Sequence, residues 1–362
     1  ILRVEGPLAQ LQIIESVVLN ILNYSSLIAT KAARMRLVAG PEAVLADFGM
    51  RRAHGLASLF AAYASYIGGF NATSNVLAGK MYGIPIIGTM AHSWIQSFDS
   101  EEEAFEKFAE IYREKTVFLV DTYDTLNSGI PNAIKVAKRL EEKGIKARGI
   151  RLDSGDFIEL SRKARQMLDE AGLTYMKIIV SNNVDEYLIE SLRKANAPVD
   201  GYGVGTRLVT AYDQPALDGV YKLVEINGKP RIKISNDSEK VVLPLAKSVY
   251  RARSKATGKF AYDIVVPVDE SELPKEAVPF YHSDLKSVKI DRTQYEYKKM
   301  FIVAMEGGNR IYQEPTEVKR QRAQEQIERL PDELKKLKTQ TYYKVFFDPE
   351  IVSEFEKLKQ LS

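Results

Sequence analysis

The chain has 362 residues, with 51 Lys and Arg against 48 Asp and Glu, a net charge of +3 and no cysteine. The length suits about two domains with a large buried core, and the missing cysteine excludes a disulfide scaffold, a thiolate nucleophile and a cysteine zinc site. The near-balanced charge excludes a broad nucleic-acid footprint, and no stretch approaches the roughly 20 apolar residues of a membrane span, so the expectation is a cytoplasmic globular protein.

The chain opens Ile1-Leu2-Arg3-Val4-Glu5-Gly6-Pro7, without Met, on what reads as a strand end turning into a helix, and a preceding segment is expected. From Pro7 to Val38, Leu11, Ile14, Val18, Ile21, Leu22, Leu27, Ile28 and Ala32 recur at helical spacing. That predicts one long amphipathic helix, or two with a break near Asn23-Tyr24-Ser25, bounded by Pro7 and by Gly40-Pro41. Short apolar runs then alternate with amphipathic stretches. The runs begin near 84, 117, 147, 177 and 201, and Ile134–Leu140, Leu160–Leu168 and Leu188–Ala195 read as intervening helices. Strands joined by helices pair in parallel, in a barrel or in an open doubly wound sheet.

After Gly219 the pattern turns strand-like: Val220–Ile226, then Asn227-Gly228, then Arg231–Ile234, the signature of a hairpin. Further strands are expected near 260–268 and 297–304. A charged helix from about Pro315 to Leu337 reads as a solvated surface.

In parallel α/β folds the polar residues at strand carboxyl ends face the ligand crevice. Here each run ends in such residues: Thr89 with His92, Asp121, Arg151 with Asp153, Ser181 with Asn182, and Gly205 with Thr206. Taken singly, Asp121, Asp153, Ser181 and Thr206 also suit helix caps. Gly203-Val204-Gly205-Thr206 suits an anion cradle or a tight turn, and is neither a Walker loop nor a full dinucleotide fingerprint. Of the three histidines (His54, His92, His282), His92 follows a strand end, where its imidazole serves as a general base, as a nucleophile toward phosphorus, or as a hydrogen-bonded structural group. Three histidines without cysteine make no multi-His metal site.

Across almost its whole length the sequence resembles the nicotinate phosphoribosyltransferase family. The motifs are Val4–Pro7, Leu27–Arg34, Phe48-Gly49-Met50-Arg51-Arg52, Ala72–Val76, Gly88–Ser93, Val120–Thr125, Arg151–Asp156, Gly203–Thr206 and Thr210–Leu217. The resemblance implies an irregular α/β barrel of the type II phosphoribosyltransferase kind with a flanking mixed domain. Residues 1–40 would be a helical segment linking to an absent N-terminal domain, 41–218 the barrel core with the active site, and 219–362 a strand-rich region with C-terminal helices. It implies a homodimer with sites at its interface, classed among ligases and glycosyltransferases. Nicotinate, phosphoribosyl pyrophosphate, ATP and water would give nicotinate mononucleotide, pyrophosphate, ADP and phosphate. His92 would be phosphorylated by ATP, Asp121 would orient its ring, and Mg²⁺ would neutralise the diphosphate.

For the base, Phe48 suits stacking on the pyridine ring, Arg151 suits its other face or its carboxylate, and Thr89 supplies a hydroxyl. Ser74 stands where related nicotinamide enzymes place an aspartate. Its hydroxyl donates to a carboxylate that an aspartate would repel, which favours nicotinate. Arg51, Asp153, Ser181, Asn182, Gly205 and Thr206 would hold ribose and phosphates. The family's N-terminal stretch, whose tyrosine reaches the partner's base site, is not in this sequence. Two other readings compete. Quinolinate enzymes need several cations and no phosphohistidine, so His92 argues against that base. A silent scaffold has no need of His92, Asp121, Arg151 and Asp153 together.

Overall fold

A computed structural model describes residues 2–234, 241–268, 270, 272–282 and 284–361. Contacts divide the chain into two compact units: Tyr24–Leu217 with Thr316–Gln324, and Ile1–Asn23 with Asp218–Pro315 and Glu325–Ser362.

The first unit is built on six parallel strands: β1 (Val44–Asp47), β2 (Ala72–Thr73), β3 (Val117–Leu119), β4 (Gly149–Leu152), β5 (Lys177–Ser181) and β6 (Gly201–Val204). Their order is β2-β1-β6-β5-β4-β3. A doubly wound sheet puts its last strand at an edge. Here β6 pairs on both sides, with β1 and with β5, so the order is cyclic. Beyond β2, Ile86 adds a parallel bridge to Thr73. In a flat sheet, Ile86 and β4 would lie five strand spacings apart, about 24 Å. Yet Arg151 of β4 donates to the hydroxyl of Thr89, three residues past Ile86, at 2.7 Å. The sheet therefore curls into a barrel. Among the described residues its one seam without a ladder lies between the Ile86 segment and β3.

Four of the five expected runs are strands. The run at 84–89 is reduced to the Ile86 bridge, because Pro85 has no N–H to give a ladder. β1 was not expected: four residues after Gly40-Pro41 give too little alternation to register. The first helix breaks at Ile14 and not near Asn23–Ser25; Leu8–Ile13 is followed by an unbroken Glu15–Ala39. Helices Ile130–Glu142, Phe157–Glu170 and Glu186–Lys194 pack on the sheet through buried apolar faces. Two apolar clusters fill this unit, one around Phe105, Phe118 and Ile150, the other around Ile28, Leu45 and Tyr202. Each such side chain contributes about 1.5–3 kcal/mol by burial.

In the second unit, Tyr295–Lys299, Lys247–Ser254, Phe260–Pro267 and Val345–Phe347 form a mixed sheet in that order. The hairpin is present but short, Glu225–Ile226 against Lys229–Pro230, with Asn227 and Gly228 both at positive φ (51° and 70°), as a type I′ turn requires. The charged helix ends at Glu328 and not at Leu337, since Pro331 cannot continue it. No helix among the described residues is long and apolar enough to cross a membrane.

Candidate functional site

The carboxyl ends of the strands gather the polar residues, and the helix caps lie elsewhere. Asp124, Asp156 and Asp185 accept backbone N–H bonds at the starts of Thr125–Gly129, Phe157–Glu170 and Glu186–Lys194. Asp121 and Asp153, three residues earlier, are thereby released from capping.

Arg151 is the hub. Its Nε donates to Ser181 Oγ, one terminal nitrogen to Thr89 Oγ1 and the other to Asp153 Oδ1, each at 2.7 Å. Its guanidinium carbon lies 5.6 Å from the centre of the Phe48 ring. Ser181 also donates to Asp153 Oδ1. Burial works against the charge of Asp153, but Arg151 beside it and the Ser181 hydroxyl hold its carboxyl below the usual range.

His92 opens a short helix, His92–Ile95, across the barrel seam. Its Nδ1 is 3.1 Å from Thr122 Oγ1. Its Nε2 faces two carboxylates, Asp121 Oδ1 at 3.9 Å and Asp153 Oδ2 at 3.7 Å. The ring contact to Asp121 is thus longer than a hydrogen bond, and Thr122 holds the ring. Ser154 donates to Asp121 Oδ2, whereas Asp121 Oδ1 is buried with no hydrogen-bond partner. His92, Gln96, Asp121, Thr122, Asp153, Ser154 and Asn182 line a cavity of about 370 Å³. Asn182 is held at φ 75°.

Phe48 follows β1 and lies across β6, where a Cβ on Gly203 would sit 2.5 Å from Phe48 Cε2 and 3.2 Å from Ser181 Cβ. Gly203→Ala is therefore expected to push the ring away and cost ~1–3 kcal/mol by overpacking, read as a lower denaturant midpoint. Asp47, at the end of β1, accepts from Gly49 N and Thr73 Oγ1, both at 2.8 Å, and burial pushes its carboxyl up. The N–H of Ser74 donates to the Asp47 carbonyl at 2.8 Å. Gly205 precedes the four-residue helix Thr206–Val209 and approaches the Phe48 carbonyl.

Hydrogen bonds, the cavity and the Phe48 contact thus bring together Phe48, Thr89, His92, Asp121, Arg151, Asp153, Ser181, Asn182 and Gly205. Arg51 is exposed on the turn Met50–Arg52, and neither it nor the side chains of Ser74 and Thr206 join that network. Thr122, Ser154 and Gln96 were missed from sequence. Thr122 and Ser154 immediately follow two strand-end aspartates, and Gln96 lies one helical turn past His92, which is the signal that pointed to them.

Comparison with known proteins follows the same lines. A family model described as "Nicotinate phosphoribosyltransferase (NAPRTase) family" matches residues 43–298, and its C-terminal domain model matches 246–353. The nicotinate phosphoribosyltransferase of Bacillus subtilis is 48% identical over 320 residues, covering 87% of this chain and 65% of the relative. A Mycobacterium tuberculosis relative of the same name is 42% identical over 358 residues, covering 98% of this chain and 71% of its own. The chain thus spans about two thirds of these relatives. Among solved structures, human nicotinic acid phosphoribosyltransferase superposes with a TM-score of 0.83 at 29% identity, covering 98% of this chain and 78% of that one. Nicotinate-nucleotide pyrophosphorylase from Pyrococcus furiosus superposes with 0.65 at 26% identity, covering 87% and 73%. The fold is the α/β type II phosphoribosyltransferase fold, and the matched segment includes every residue of the site from Phe48 to Thr206: the chain belongs to the nicotinate phosphoribosyltransferase family.

Proposed function

We propose that the protein transfers the phosphoribosyl group of phosphoribosyl pyrophosphate to nicotinate in NAD biosynthesis, with ATP hydrolysed through a phosphohistidine at His92. The observation that carries the base assignment is the Arg151 guanidinium beside Phe48. A pyridine ring between them needs two van der Waals contacts of about 3.5 Å, roughly 7 Å in all. The 5.6 Å separation is too short for that. Arg151 has five N–H groups, three of them committed to Ser181, Thr89 and Asp153. The two left over, one on each terminal nitrogen, suit the substrate carboxylate, with the pyridine ring beside the guanidinium and packed on Phe48.

In the transfer the pyridine nitrogen bonds to the anomeric carbon as the bond from that carbon to the pyrophosphate oxygen breaks, and pyrophosphate leaves. Asp153, Ser181, Asn182, Gly205, Thr206 and Arg51 are assigned to ribose and phosphates. The phosphohistidine reading uses the tautomer in which Nδ1–H donates to Thr122 Oγ1 and Nε2 presents its lone pair to the γ-phosphorus of ATP. The N–P bond forms as the bridging P–O bond breaks and ADP leaves; water later releases phosphate. A phosphoryl group there adds negative charge beside Asp121 and Asp153 and biases what the site binds and releases. Mg²⁺ fits this surrounding. Among the described residues no three acidic or histidine groups form a complete cage, but the unpartnered Asp121 Oδ1 and the Asp153 carboxylate are the hard oxygen donors that Mg²⁺ takes alongside phosphate oxygens. Bound there, the ion would neutralise the diphosphate.

A homodimer in the cytoplasm completes the proposal. Its support is a set of exposed apolar side chains on, or at the start of, two helices that flank β2 and Ser74 in the chain: Leu56, Phe60, Val76, Leu77 and Met81. The reading is tested by product formation with nicotinate or nicotinamide, each with and without ATP. Nicotinate mononucleotide formed faster with ATP supports it, and turnover of nicotinamide alone overturns the base assignment. Ser74→Asp is expected to lower kcat/KM for nicotinate at least tenfold, about 1.4 kcal/mol or more, if the Ser74 hydroxyl is a second donor to the substrate carboxylate once nicotinate is bound, because an aspartate would repel that carboxylate. The same assay on nicotinamide is expected to rise.

A further inference from the structure

Away from the cavity, helix Glu15–Ala39 inserts Lys31 between two acidic residues, Glu186 at the start of a helix and Asp213 in a turn. Lys31 Nζ lies 2.9 Å from Glu186 Oε2 and also binds Asp213 Oδ1. Lys31 and Glu186 are 5% and 0% exposed, so this is a buried ion pair and not a surface one. Arg34, one turn on, donates to Glu186 Oε1 at 2.8 Å and to Tyr187 Oη at 3.1 Å.

Each acid is the anchor of a strand-end loop. Glu186 opens its helix three residues after the turn Ser181-Asn182-Asn183, whose two asparagines sit at φ 75° and 51°. Asparagine is the non-glycine residue that best tolerates that conformation, which lets the chain turn tightly there. Asp213 closes the segment that begins at Gly205-Thr206. Within that segment Thr210 Oγ1 donates to the Thr206 carbonyl and the Tyr24 hydroxyl donates to the Val209 carbonyl, both at 2.7 Å. Tyr24 and Lys31 stand seven residues apart on one face of the same helix. The helix thus holds one loop through Tyr24 and Lys31 and the other through Lys31 and Arg34, and Lys31 is the side chain that reaches both acids.

A buried ion pair is poor at adding stability, because desolvating the charges offsets their attraction. What it does well is fix a geometry that an apolar contact leaves loose. We propose that Lys31 is a positioning residue for phosphoribosyl pyrophosphate: by holding Glu186 and Asp213 together it sets the separation of the Ser181–Asn182 and Gly205–Thr206 loops. The inference rests on the assignment of those loops to the ribose and phosphates made above.

The test is calorimetric binding of phosphoribosyl pyrophosphate, with steady-state kinetics and melting, on wild type, Lys31→Met, Asp213→Asn and Asp213→Glu. Asp213 is 41% exposed in its side chain, and its replacement leaves the Lys31–Glu186 pair intact, so this variant folds even if Lys31→Met does not. Lys31→Met and Asp213→Asn are each expected to weaken phosphoribosyl pyrophosphate about tenfold or more, within the usual range of coupling between sites. KM for nicotinate is expected to stay within about twofold of wild type, and Asp213→Glu is expected to restore binding. Lower melting temperature with unchanged phosphoribosyl pyrophosphate affinity overturns the inference, as does an equal loss for both substrates. Wild type that fails to bind phosphoribosyl pyrophosphate at all overturns the functional reading instead.

Discussion

Arg151→Ala is expected to lower kcat/KM for nicotinate by about 30- to 1,000-fold, the loss of ~2–4 kcal/mol that follows when a buried charged partner is taken from a carboxylate. Two effects combine. The two free N–H groups assigned to nicotinate disappear, and Asp153 loses the guanidinium that holds its carboxyl low. Ser181 and Thr89 lose their donor as well. Arg151→Lys separates the two effects. An ammonium keeps the charge beside Asp153 but cannot reach Ser181, Thr89, Asp153 and a substrate carboxylate together. It is therefore expected to melt near wild type while losing most nicotinate turnover. Full activity in Arg151→Lys, measured with nicotinate varied at saturating phosphoribosyl pyrophosphate, sinks the two-donor assignment.

His92→Ala is expected to abolish the stimulation by ATP and the acid-labile phosphate that labelled ATP leaves on the protein, while a slower ATP-independent transfer persists. The basis is position: His92 crosses the barrel seam, half-exposed, with Nε2 open to the cavity and Nδ1 on Thr122. Thr122→Val is the companion variant. It removes the acceptor for Nδ1–H, so labelling is expected to fall about tenfold or more without loss of the imidazole, in line with the effect of removing groups that orient a reacting histidine. Wild-type labelling in His92→Ala reduces this histidine to a structural group.

The two variants read different ends of one strand-end array, and that array was largely legible in advance. Helix periodicity between short apolar runs marked β3, β4, β5 and β6, because a parallel barrel strand is buried on both faces and reads as a continuous apolar run. Asp121, Arg151, Asp153 and Ser181 followed from that framework alone, since the carboxyl end of such a strand has nowhere to point but the crevice. The Asn227-Gly228 turn was equally local: only residues tolerant of positive φ make it. The family was carried by ordered motifs.

The closure of the sheet and the geometry within the site belong to the tertiary structure. Nothing local distinguishes a barrel from an open sheet; the pairing of β6 with β1, more than 150 residues apart, together with the hydrogen bond from Arg151 to Thr89 does. β1 itself escaped notice because four residues carry too little periodicity, and the 84–89 run misled because its apolar composition ignores the missing N–H of Pro85. Which aspartate caps a helix and which faces the cavity was ambiguous until Asp124, Asp156 and Asp185 took the caps. Thr122 at His92 Nδ1, the 5.6 Å gap between Arg151 and Phe48, and the Lys31 clamp join residues distant in sequence. The sequence by itself determined which residue types stand at the strand ends, because that is set by burial pattern along one element. Only the folded barrel decided which of them touch, because contact depends on how far the sheet curls, a property of all its strands together.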